Sequence, residues 1–78
     1  MAKRQQAHTE FTLREARHFA ARGPQAALTA IEKAINNGLR ILHEVWVWVV
    51  NLVENPRALA LLRQNAPALV PAKYLETA

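Results

Sequence analysis

Cysteine, serine and aspartate are all missing from this chain of 78 residues, and each absence removes a class of chemistry. Without Ser, Cys and Asp, one chain cannot assemble a Ser-His-Asp or Cys-His nucleophile system. Without Cys there is no disulfide framework and no thiolate zinc site, so cysteine usage says nothing about redox compartment. The two glycines, Gly23 and Gly38, stand singly in helix punctuation rather than in a phosphate-cradling loop. All six acidic residues are Glu. Glu44 and Glu54 lie roughly 15 Å apart along a helix, too far for a paired-carboxylate device. His8, His18 and His43 lack the His-x-x-x-His spacing that sets two metal ligands on one helical face. His18 stands between Arg14 and Arg22, whose charge opposes a metal ion. The expectation is a chain with no catalytic residues, no metal, no cofactor and no small-molecule substrate.

Long hydrophobic runs are also missing. The most apolar stretch, residues 39–53, makes a helix of about 22 Å, short of the roughly 30 Å hydrocarbon core. Arg40, His43, Glu44 and Asn51 interrupt it, and each would be costly in lipid. No apolar segment follows Lys3 and Arg4, so the N-terminus does not read as a secretory leader. A cytoplasmic location is expected, with membrane-surface binding through Trp46 or Trp48 as the weakest of three functional readings.

What is present is positive charge and helix-forming residues. Ten Lys and Arg against six Glu give a net charge of +4. Residues 1–22 hold Lys3, Arg4, Arg14, Arg17 and Arg22 against Glu10 and Glu15. Such a basic arm attracts polyanions or acidic protein surfaces, and salt weakens the attraction. Arg14, His18 and Arg22 follow an i, i+4, i+8 spacing with Arg17 on the flank, a ridge suited to tracking phosphates. No Asn or Gln on the ridge reads base edges. The helix-turn-helix pattern fails too: about Gly23, Phe19 fills a small-residue slot and Thr29 an apolar one. About Gly38, Glu44 falls on the apolar slot. Nucleic-acid contact through this ridge would therefore be non-specific or shape-based.

Fifteen Ala and ten Leu make helix the dominant expectation. Thr12 and Glu15 have capping-box spacing and should open a first helix over residues 13–22, closed by Gly23-Pro24. Pro24 suits the first position of a second helix, in which Ala27, Leu28, Ile31, Ala34 and Ile35 keep helical spacing until Asn37-Gly38. Residues 45–50 (VWVWVV) have strand propensity, but they do not alternate with polar residues. Arg40, His43, Glu44, Val47, Asn51 and Glu54 fall instead on one helical stripe, of which Val47 alone is apolar. A long apolar third helix over 39–54 is expected, then a fourth from Pro56 to Gln64 with Ala58, Leu59 and Leu62 inward. A tail containing Pro67 and Pro71 should pack Leu69 and Val70 in extended form, with a short turn near 73–75.

The expected fold is all-α: two short N-terminal helices, a long central helix and a short fourth. A basic arm at 1–8 precedes a single helical domain at 9–66, and residues 67–78 form the tail. A chain of this length buries only about 60–65% of its unfolded surface. Three short helices also have much apolar surface to cover on the third. The leading reading is a non-enzymatic interaction module, a homo-oligomer or a subunit or regulator of a larger assembly. Its seam would be Val45, Trp46, Trp48, Val49 and Leu52. The alternative is a small nucleic-acid-binding regulator using Lys3, Arg4, Arg14, Arg17, His18 and Arg22.

Overall fold

A computed structural model describes residues 9–75. The arm at 1–8, with Lys3, Arg4 and His8, lies outside the described residues, as do residues 76–78 of the tail. The described residues are mostly helical. Their packing divides between Leu42 and His43 into two compact units.

The first unit is a helical hairpin closed by a strand pair. Strand β1 (Glu10–Phe11) leads to Thr12, whose extended backbone and hydroxyl cap α1 (Leu13–Ala20). The Glu15 N–H donates to Thr12 Oγ1 at 3.3 Å, and the Thr12 N–H donates to Glu15 Oε1 at 3.1 Å. This is the reciprocal box that the spacing of the two residues foretells. Helix α1 closes at Ala21, earlier than the expected Arg22, and Gly23 takes a φ of 112° into α2 (Pro24–Asn36). Pro24 sits at the start of α2, where its missing N–H leaves no bond unmade. Ala16 of α1 and Ala27, Leu28, Ile31 and Ala34 of α2 are buried, and the two helices pack against each other.

The end of α2 sets the chain's return. The Leu39 N–H donates to the Ala34 carbonyl at 2.9 Å, and the Gly38 N–H to the Ile35 carbonyl at 3.0 Å. That is a Schellman arrangement, and it puts Gly38 at a φ of 83°. The chain then enters β2 (Arg40–Ile41), which pairs parallel to β1 with Glu10 opposite Arg40 and Phe11 opposite Ile41. The Arg40 N–H donates to the Thr9 carbonyl at 2.9 Å and the Leu42 N–H to the Phe11 carbonyl at 3.2 Å. Arg40 Nη2 also donates to Glu10 Oε2 at 2.7 Å, an exposed pair that contributes only about 0–1 kcal/mol. This sheet departs from the all-α expectation. It also removes residues 39–42 from the expected third helix, because the turn at Gly38 delivers them to a waiting strand edge.

The second unit opens with α3 (His43–Val49), so the VWVWV run is helical and the strand propensity is overridden. Burial of large apolar side chains contributes roughly 1.5–3 kcal/mol each, more than propensity differences of at most about 0.7 kcal/mol per residue. The helix does not continue in α form to Glu54. It tightens into a 3-10 turn at Val50–Leu52. Asn51 Nδ2 donates to the Trp48 carbonyl at 3.3 Å there, and Pro56 holds Asn55 extended, so the α ladder stops short. All six positions of the expected polar stripe are exposed, including Arg40 and Val47, even though they no longer share one helix.

Asn55 caps α4 (Pro56–Asn65), its Oδ1 accepting the Arg57 N–H at 2.9 Å. Ala58, Leu61 and Leu62 are buried, at the i, i+3, i+4 spacing of one helical face. Leu59, expected inward, is only half-buried because it lies off that face. The tail is less extended than expected, with a 3-10 turn at Pro67–Leu69, buried Val70 and a last helical turn, α5 (Ala72–Leu75). Arg63 Nη2 ties that turn to α4 by donating to the Tyr74 carbonyl at 2.8 Å. Among the described residues no helix is long and apolar enough to cross a membrane.

Two substitutions test these assignments. Gly38→Ala should destabilise the protein by about 1 kcal/mol through its positive φ alone, since a Cβ there meets nothing within 4 Å. D-alanine at the same position, introduced by chemical synthesis, should restore the midpoint of urea unfolding. Val47 is 47% exposed while Val49 is fully buried. Val49→Ala should therefore cost on the order of 2 kcal/mol, and Val47→Ala less than about 0.5 kcal/mol. Equal losses at the two sites would indicate a strand, in which both would share a face.

Candidate functional site

The first unit carries a trough of about 500 Å³, open to solvent along one side and mostly apolar in its lining. Its floor is built by α2. Ala26, Ala30 and Ala34 line it at four-residue spacing, so each side chain sits one turn beyond the last. Methyl groups there leave space that larger side chains would fill. Phe11 and Phe19 also line the trough, their rings stacked with centroids 6.4 Å apart and planes 17° from parallel. The positions of both rings follow from the local chemistry already described. Phe11 is held by the strand pair, and Phe19 rides on the capped helix α1. Leu39, delivered by the Schellman turn, completes the apolar lining.

The rim is polar and holds two cations and one carboxylate. Arg22 lines it from the turn after α1. Lys33 and Asn37 line it from the last turn and the C-cap of α2, with Thr29 one turn earlier. Arg22 and Lys33 are exposed. Glu15 is the acidic member, and its carboxylate already accepts from the Thr12 N–H and hydroxyl at 3.1 and 3.3 Å.

The residues singled out by sequence are distributed differently. Val45 and Val49 are fully buried, Trp46 is buried, and Trp48 and Leu52 are half-buried. Of the basic ridge, Arg14, Arg17 and His18 are exposed on α1, while Arg22 has left the helix for the turn. The i, i+4, i+8 ridge is thereby shortened to Arg14 and His18, with Arg17 beside them. His18 meets Phe19 edge-on at 5.4 Å. His43 and Glu44 are exposed at the start of α3, and the described residues hold no cluster of three or more metal-ligating side chains.

Sequence reading passes over the trough. Ala26, Ala30, Phe11 and Lys33 draw no attention beside the buried spacing of Leu28 and Ile31. The signal was present as two adjacent ridges of α2: Ala26, Ala30 and Ala34 on one, Thr29, Lys33 and Asn37 on the next. No protein-family model matches the chain, and no curated protein or solved structure matches it.

Proposed function

We propose that this chain is a non-enzymatic protein-interaction module whose docking face is the trough of the first unit. The observation that carries this reading is a sizeable open apolar concavity rimmed by exposed cations. Apolar concavities that stay open to solvent mark partner sites more often than isolated apolar side chains do. The seam expected on α3 offers a partner much less, because Val45, Trp46 and Val49 are already covered and Trp48 and Leu52 are half-covered. A cytoplasmic setting belongs to the same proposal.

A photo-crosslinking residue tests it directly. Benzoylphenylalanine placed at Thr29, exposed on the rim, should yield protein adducts in cells, whereas placement at exposed Gln64 of α4 should not. Equal yields at the two positions, or none at Thr29, would remove the trough as the docking face. The mass of the purified chain across concentrations shows whether the adduct partner is a second copy.

One observation favours a second reading, a nucleic-acid-binding regulator. Seven basic against three acidic side chains place all of the +4 charge in residues 1–42, while three against three leave residues 43–78 neutral. Replacing Arg14, Arg17 and Arg22 with Gln should shift stability by less than about 0.5 kcal/mol, because all three are exposed. Under this reading the substitutions also flatten the salt dependence of duplex binding, followed by fluorescence anisotropy. Duplex affinity that is weak at low salt, and unchanged by the substitutions, would reject it.

A further inference from the structure

The trough offers more than an apolar surface: its charges select the sign of what enters. Arg22 and Lys33 approach it from different elements, and neither makes an ion pair with another described residue. The carboxylate of Glu15 is engaged by Thr12. Two cations against one carboxylate leave the lining with a net positive charge, and the first unit as a whole carries the net +4. Resting on the interaction reading above, we propose that the trough receives an amphipathic helix of another protein, with an apolar ridge flanked by acidic side chains.

Shape and charge agree on this occupant. From Ala26 to Ala34 the floor runs about 12 Å, or a little over two helical turns. A row of small residues at four-residue spacing admits the ridge of a neighbouring helix at close range. The Phe11–Phe19 pair gives that ridge an aromatic wall. Acidic side chains on the two flanks of an entering helix would come within reach of Arg22 and Lys33. A second copy of this chain suits the rim poorly, because it would bring another first unit with a net charge of +4. The basic arm at 1–8, with Lys3 and Arg4, has the same wrong sign. A nucleic-acid duplex matches the charge but has no apolar ridge for the floor.

The experiment uses the full chain and two synthetic peptides of roughly fourteen residues, long enough to be marginally helical alone. One presents Leu at helical spacing with Glu on both flanks, and the other replaces every Glu with Lys. The Glu peptide should saturate shifts of the Ala26, Ala30 and Phe19 resonances, and its affinity should fall about tenfold between low and near-molar salt. The Lys peptide should bind at least about tenfold more weakly. The paired reversal Arg22→Glu with Lys33→Glu, at two exposed sites, should invert that preference. Ala30→Arg separates docking from simple attraction. It adds positive charge but fills the floor, so a docked helix loses affinity while a merely attracted peptide gains it.

Several results would overturn the proposal. They are equal binding of the two peptides, tighter binding by Ala30→Arg, or Glu-peptide shifts confined to Arg14, Arg17 and His18. Trough shifts produced by raising protein concentration alone would also overturn it in favour of a second copy, while leaving the interaction reading intact. Absence of crosslinking at Thr29 together with absence of peptide binding would remove both.

Discussion

The short parallel pairing of Glu10–Phe11 with Arg40–Ile41 governs the geometry of the first unit. Two residues per strand are too few to hold together unaided, since even a two-stranded hairpin is marginal in water. The packed α1–α2 hairpin supplies the closure, and the Schellman turn at Gly38 aims the returning chain at the open edge of β1. Once Arg40 and Leu42 donate to the Thr9 and Phe11 carbonyls, Phe11 is fixed beside Phe19. Leu39, one residue before the paired segment, is fixed with it. The trough therefore depends on a backbone contact formed by residues far apart in sequence and close to the ends of the hairpin. Its alanine floor alone would be an ordinary helix face.

The second unit solves a different problem, the covering of a run of bulky residues with short elements. Helix α3 turns Val45, Trp46 and Val49 inward and spends its exposed face on His43, Glu44 and Val47. The 3-10 turn, the Asn55 cap and the Pro-initiated α4 then bring Val53, Ala58, Leu61 and Leu62 into the buried set. The residues after α4 contribute Val70. Short helices can cover such a surface because the chain changes direction at nearly every cap.

Punctuation was the most legible feature of the sequence. Thr12 with Glu15, Gly23-Pro24, Asn37-Gly38 and Asn55-Pro56 each mark a boundary by a local mechanism that needs no tertiary context. The helical state of residues 45–49 was legible from the spacing of their polar neighbours, against their propensity. The strand pair was not, because two-residue strands show no alternation and their partner lies across the whole hairpin. The ends of α3 were not legible either, since a helical wheel continues through a turn without registering it. The trough was legible only as a faint pattern. Alanine is at home in a core and on a surface alike, so Ala26 and Ala30 reveal an open floor only once Phe11 and Phe19 are known to stand beside them.

The makeup of the interior also sets how the fold answers to temperature. Among the described residues, no polar or charged residue is buried. The interior therefore gains little from polar side-chain contacts and depends, beside its backbone hydrogen bonds, on the expulsion of water from aliphatic and aromatic surface. That driving force is largely entropic near room temperature and weakens on cooling. A protein held this way has a stability maximum with a decline on both sides. Cold, as well as heat, is a condition in which its short elements loosen.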